Sequence, residues 1–498
     1  MPQLFDDVLE GRRFAKFIGI DNTNPPAMLG QYKVRDALNV LFGRGVSWRM
    51  RPGYEKFNSS PLTAMPKTTY NYTNITPVNE LLIFEGGRIQ KSTAGTMTQI
   101  HDGLARDDVG ISTFIDNAGI FDGVTPHKYN GTTVSDLGGS PPAGTMVELS
   151  NARWFVAGVS TTPSRVYYCD VGLIETWGVN SYFDVAKNDG TVITGLYAYR
   201  NVILIFKGKS IYAINTNGDP LTDWVLVQIN ASQGCVAGRT ITAVLNSIWF
   251  LSRDGVFSLD RVPASVTGEL EITFRQNDIS DTLDTINWSA VNTSCAYNQD
   301  GYYMLSVPTG TSSYPDKTLF FDYILAGDRT EVEAWTITDI KANDWCEYEN
   351  NIYFSCADGV NFYIYKYGNV YSDDTAAINS YVKTGYIYGQ RETIRNRFRK
   401  IITALEDVGD WNITMEWSID SGVFSGSELL NCSTGGALYD TAVWDSDSWA
   451  IGETNLEKEF ISAVGTYMVL KYSHNIIDEN WGVVFFETYH IPYSDVGI

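Results

Sequence analysis

The chain has 498 residues, with 36 Lys plus Arg against 58 Asp plus Glu and a net charge of −22. That balance argues against a free-standing domain that wraps DNA or coats an anionic membrane, and the length exceeds one ordinary core of roughly 100 to 200 residues, so two or three structural units are expected. At 44% hydrophobic and only 19% charged the composition excludes a disordered chain, while 30 Tyr, 23 Phe, 13 Trp and 44 Gly favour strands and tight turns over helices.

Residues 1–13 carry Asp6, Asp7 and Glu10 where a secretory signal would have a basic start and an apolar run. No apolar run elsewhere approaches the roughly 18 residues of a membrane span, so neither export nor a span is expected. Residues 21–26 read as a loop, and Met28, Leu29, Tyr32, Val34, Leu38 and Leu41 have helical spacing. Residues 1–60 are read as an N-terminal arm and closing strand.

From about Leu81 to Gly368 one device recurs: an apolar or aromatic run, a turn with Gly or Asp, then a second run, the signature of a β-hairpin. Leu81 to Phe84 precede Gly86 and Gly87, Val202 to Phe206 precede Gly208, and Ser247 to Leu251 precede Asp254 and Gly255. Gly158, Gly208, Gly255, Gly310 and Gly359 fall about 50 residues apart, a period that fits the four-stranded blade of a β-propeller. A β-sandwich also produces closely spaced strands, but it does not require that period. The reading is an all-β chain whose residues 61–380 form a β-propeller of six blades, with seven as the other count. After about Ser372 the rhythm breaks, and Trp411, Ile413, Met415 and Trp417 alternate with polar residues, so 381–498 reads as a C-terminal β-sandwich.

Candidate chemistry is sparse. Cys169, Cys235, Cys295, Cys346, Cys356 and Cys432 form no CxxC pair and read as free thiols in a reducing compartment. His101, His127, His474 and His490 stand outside metal-ligand spacing of one another and read as surface or turn residues, so no metal and no cofactor is expected. Lys207-Gly208-Lys209-Ser210 contains Gly-Lys-Ser, but Ile203 stands where a phosphate loop needs glycine, which makes this stretch a hairpin turn. Ser418-Ile419-Asp420-Ser421-Gly422 resembles the start of an Asp-box turn, in which Asp accepts backbone N–H bonds and Gly supplies positive φ. No residue is nominated as catalytic. The marked charge anomaly is Arg391, Arg395, Arg397, Arg399 and Lys400, with Arg395, Arg397 and Arg399 on one face of an extended strand. Such a stripe suits an anionic or acidic partner, or an edge strand whose charges block sheet-to-sheet aggregation.

Residues 37–54, which include Asn39-Val40 and Arg51-Pro52-Gly53, resemble the stretch that precedes the propeller in tail hub or nozzle (DNA-stabilisation) proteins of short-tailed bacteriophages. Tyr199 to Tyr212, Gly234 to Gly238, and Arg395 to Ile401 followed by Ser418 to Gly422 are similar to the core and C-terminal section of the same family, in the same order. The resemblance implies a non-enzymatic virion protein, made in the bacterial cytoplasm and assembled as a ring, typically a homohexamer. It would sit below the portal and head–tail adaptor, meet a tail fibre, tailspike or plug protein, and retain the genome until ejection. An acidic channel wall would let genomic DNA slide without sequence-specific binding. On this reading Arg12, Arg13 and Lys16, together with the stripe from Arg391 to Lys400, are subunit or adaptor contacts. The alternative from a different class is a carbohydrate-active or receptor-binding tail propeller, a glycosidase or lectin.

Overall fold

A computed structural model describes residues 9–30, 32–76, 79–260, 271–275, 277–327, 333–358, 361–389, 392–433 and 455–492. The fold is all-β, a propeller joined to a two-sheet sandwich. Seven antiparallel blades follow one another among the described residues, so the propeller takes the second of the two counts. Their innermost strands are Thr68–Thr73, Gly110–Phe114, Met146–Ser150, Ile193–Tyr199, Thr242–Val244, Cys295–Gln299 and Asp344–Tyr348. The last of these lies against the first, which closes the ring.

The physics of a blade is visible in its second strand. In Asn79–Glu85, Leu81 and Ile83 pack toward the seventh blade with Tyr353 and Ile364, while Leu82 and Phe84 pack toward the second with Ala118 and Ile120. Both faces are covered, so the strand reads as a continuous apolar run and not as an alternation. Trp154 and Val156 likewise face the second blade, and Phe155 and Ala157 face the fourth. Each of the larger aliphatic and phenyl side chains among these contributes roughly 1.5–3 kcal/mol by leaving water. The hairpin turn after Asn79–Glu85 uses Gly86 and Gly87, both at positive φ, the backbone that a two-residue turn requires.

The seventh blade takes its outer strand from the other end of the chain. Tyr54–Lys56 pairs with Asn361–Tyr367, and Tyr54 packs edge-on against Phe354 at 5.0 Å and Tyr365 at 4.9 Å. Just before it, the Arg51 side chain is fully buried. It donates to both Asp373 oxygens at 2.8 and 2.6 Å, to Asp339 at 3.0 Å and to Asn39 Oδ1 at 2.8 Å. A Cβ on Gly53 would overlap the Ser372 carbonyl, so the backbone approach requires glycine there. Arg51-Pro52-Gly53 is thus the joint between propeller and sandwich.

The sandwich is woven from both ends of the sequence. One sheet runs Val40–Phe42, Trp48–Met50, Gly482–Pro492, Asn396–Leu405 and Asn455–Gly465, with Glu10–Ala15 also on Gly482–Pro492. The other runs Gly19–Ile20, Lys33–Leu38, Ser380–Thr384, Tyr467–His474, Asn412–Ile419 and Phe424–Asn431. Residues 10–50, read from sequence as an arm, therefore supply five strands to these sheets. Their shared core includes Trp48, Phe17, Tyr472, Trp481 and Phe486.

The helical spacing over Met28 to Leu41 does not become a helix: Lys33–Leu38 is a strand. A register shift between Val34 and Asp36 inserts a bulge, which leaves Val34 and Ala37 buried three residues apart and mimics a helical period.

Candidate interaction surface

Arg12, Arg13 and Lys16 are exposed, the first two on Glu10–Ala15 and Lys16 just beyond it with φ at 61°. Arg395 is exposed before Asn396–Leu405, and Arg397, Arg399 and Lys400 are half-buried on that strand. Arg391 lies outside the described residues. The two basic segments, almost 400 positions apart in sequence, flank the same strand, Gly482–Pro492, on opposite edges.

Register determines which side chains meet. Gly11, Tyr489, Lys400 and Phe460 form one row across four strands; Arg13, Glu487, Ile402 and Lys458 form the next; Ala15, Phe485, Ala404 and Leu456 the third. Neighbours in a row share a face. Thr488, Phe486 and Phe398 on the opposite parity are buried, so these rows form the outward face of the sheet. The Arg13 guanidinium sits 3.5 Å over the Phe485 ring and the Lys400 ammonium 4.2 Å over Tyr489, whose hydroxyl donates to Glu487 at 2.7 Å. Phe460 and Leu456 are 75% and 50% exposed on the same face.

A bulge adds to the expected stripe. Arg397 alternates with buried Phe398, and the bulge at Arg399 makes Arg399 and Lys400 consecutive outward positions between buried Phe398 and Ile401. Arg12 is on the opposite parity from Arg13, 4.9 Å from the Phe14 ring, and donates to the Tyr388 carbonyl at 3.5 Å. Arg13 and Lys400 are therefore brought onto one face, and Arg12 is turned away from it. Sequence reasoning missed Tyr489, Phe485, Leu456, Phe460 and Lys458. The alternation of exposed Leu456, Lys458 and Phe460 was available as a signal, but their neighbours on the face are remote in sequence.

The remaining sequence candidates have structural settings. His127, His474 and His490 are buried, correcting the surface or turn reading, because each sits on a strand with its ring turned inward. His474 Nε2 lies 3.0 Å from Glu479, and burial lowers its pKa. His127 Nδ1 lies 3.1 Å from Asp136, and its ring is 4.7 Å from that of His101. Among the described residues no group of three or more His, Cys, Asp or Glu could hold a metal ion. All six cysteines are buried and none is in a disulfide. Gly-Lys-Ser lies in the hairpin turn between Val202–Lys207 and Ile211–Asn215, and Lys207, fully buried, reaches Asp189 at 2.7 Å. Asp420 Oδ1 accepts from the Thr466 and Tyr467 N–H groups, and Gly422 has φ of 94°, a turn of the expected chemistry.

No family model matches the chain, and no curated protein matches it in sequence. Solved structures similar to it include BBS1N in complex with ARL6DN, at 9% identity and a TM-score of 0.43, covering 64% of this chain and 98% of that one. The AfRom2 CNH domain is similar at 8% identity and a TM-score of 0.40, covering 64% and 98%. Kluyveromyces lactis Hsv2 is similar at 9% identity and a TM-score of 0.34, covering 63% and 91%. No helix among the described residues is long and apolar enough to cross a membrane.

Proposed function

We propose that this chain is a structural subunit of a bacteriophage tail, a nozzle or hub ring below the portal and adaptor that extends the DNA channel and holds the genome until ejection. The observation that carries the reading is the outward face built by Arg13, Lys400, Lys458, Phe460 and Leu456. In a chain of net charge −22, a basic face with exposed aromatic and aliphatic side chains is complementary to the rest of its own surface. It suits contact with a neighbouring copy in a ring or with an acidic adaptor. The buried joint at Arg51 adds support, since it falls in the stretch that resembles the family. No catalytic step is assigned, and the role is that of a virion component assembled in the host cytoplasm.

The test is localisation. Particles carrying a C-terminally tagged copy, imaged by electron microscopy, should show label on the tail axis below the portal, at the ring multiplicity. Label on peripheral fibres would move the reading to the receptor-binding or glycosidase class, and unlabelled particles would remove the virion role.

A further inference from the structure

On the propeller axis the innermost strands leave a cavity of about 660 Å³, within the range of small-ligand sites. Its walls include Tyr70, Glu148 and Tyr197, from the first, third and fourth blades, and Arg239 and Asp344 on the far side. All of its charges but one are compensated. Arg239 reaches Asp344 at 2.8 Å and donates to the Asn343 carbonyl at 2.6 Å, and Arg106 reaches Asp108 at 2.8 Å. Glu148 accepts from the Ala198 backbone N–H and has no cation beside it among the described residues. Loss of water pushes its carboxyl up to about 8.

The two tyrosines complete the site. The Tyr70 hydroxyl donates to Thr113 Oγ1 at 2.9 Å, and the Tyr197 hydroxyl accepts from the Ala243 N–H at 3.0 Å. Each hydroxyl already makes a hydrogen bond, and the rings are the apolar surface that these two residues bring to the cavity wall. Glu148 contributes to the raised pKa of both, which places all three in one electrostatic neighbourhood. A carboxylate without a counter-ion, beside two electron-rich rings in a partly dehydrated space, is complementary to an alkylammonium group.

We infer that the axial cavity binds an alkylammonium head against Glu148, with its apolar stem along Tyr70 and Tyr197. A free amine and a lysine side chain share this chemistry. Binding requires the ionised carboxylate, so at neutral pH it releases close to one proton from Glu148 to solvent. Affinity then rises roughly tenfold per pH unit up to about 8 and levels off until the amine itself loses its proton. Arg106 with Asp108 and Arg239 with Asp344 face the cavity as compensated pairs, and both tyrosines stay neutral across that range.

The experiment is calorimetric titration of the full chain with n-butylammonium and with Nα-acetyl-lysine amide at pH 6, 7 and 8, in buffers of different ionisation heat. Saturable binding about tenfold tighter at pH 7 than at pH 6, with proton release and with loss in Glu148→Gln, is expected. Binding of butylammonium alone would identify a free amine, and of the lysine amide alone a protein side chain; either supports the site. No saturable heat with either probe, or binding unchanged by pH or by Glu148→Gln, overturns it. Should Glu148→Gln fail to fold, proton release by the unaltered chain decides the question, because Glu148 is the cavity carboxyl shifted into that range.

Discussion

The propeller and the sandwich bury comparable aromatic cores by opposite strategies. In the propeller every core but the one that closes the ring lies between blades that follow one another in sequence, as where Leu82 and Phe84 of the first blade meet Ala118 and Ile120 of the second. In the sandwich a single core gathers Phe17 and Trp48 from one end of the chain with Tyr472 and Phe486 from the other. The first architecture is assembled from near neighbours and tolerates local loosening, whereas the second exists only when both ends are present. Arg51 joins the two regimes, since Asn39 and Asp373, which it holds together, lie on either side of the whole propeller.

The largest effect should come from breaking that joint. Arg51→Ala leaves Asp373 and Asp339 without their buried cation and should cost about 4–5 kcal/mol. Urea unfolding followed by tryptophan fluorescence should show propeller and sandwich losing stability together; an unchanged propeller would separate them. Trp154→Ala, within the core between the second and third blades, should cost about 3–4 kcal/mol. Hydrogen exchange should then quicken in those two blades and leave the sandwich protected, and uniform quickening would contradict the locality of the blade cores.

A third test is electrostatic. Burial raises the Glu148 carboxyl from an ordinary 4.5 to about 8, so between those values the folded state holds the proton more tightly than the unfolded chain. Stability therefore falls as pH rises through that window and is flat above it. Glu148→Gln should remove that slope and be more stable at pH 8.5 by about 2–3 kcal/mol, allowing for partial exposure of the cavity, as read from Tm across pH. The smallest effect on stability, about 1–2 kcal/mol, belongs to the combination Arg13→Glu, Lys400→Glu and Phe460→Ser, because these side chains are exposed or half-buried on an outward face and the loss is confined to two surface cation–π contacts. Sedimentation should show that the same combination abolishes self-association if the face is a subunit contact.

The same contrast explains what could be read in the sequence. The central hairpins of six blades stood out because strands such as Val202–Lys207 are covered on both faces and written almost entirely in apolar letters. The second blade was hidden: Asn117–Phe121 and His127–Tyr129 are short, and the first opens with Asn, Ala and Gly. The seventh blade's outer strand, Tyr54–Lys56, lies within the residues read as an arm and closing strand, but its pairing with Asn361–Tyr367 was not legible because that partner is some 300 residues away. Of the interaction surface, the basic residues were legible as a charge anomaly. Their aromatic companions were not, because Tyr489 and Phe460 reach Lys400 only through sheet register. The bulges at Arg35 and Arg399 defeated simple periodicity, since each displaces the alternation by one residue.

Closure by Tyr54–Lys56 has a consequence for synthesis. That strand leaves the ribosome long before Asn361–Tyr367 exists to receive it, and at about 5–20 residues per second the wait is on the order of 15–60 s. During that interval the first blade has no seventh blade to cover Leu81 and Ile83. The nascent chain carries an open apolar flank and an unpaired closing strand until nearly three-quarters of it has been made. An exposed apolar flank and an unpaired edge are the features that make a folding intermediate prone to aggregate, so translation rate and chaperone occupancy over that interval bear on the yield of closed propeller.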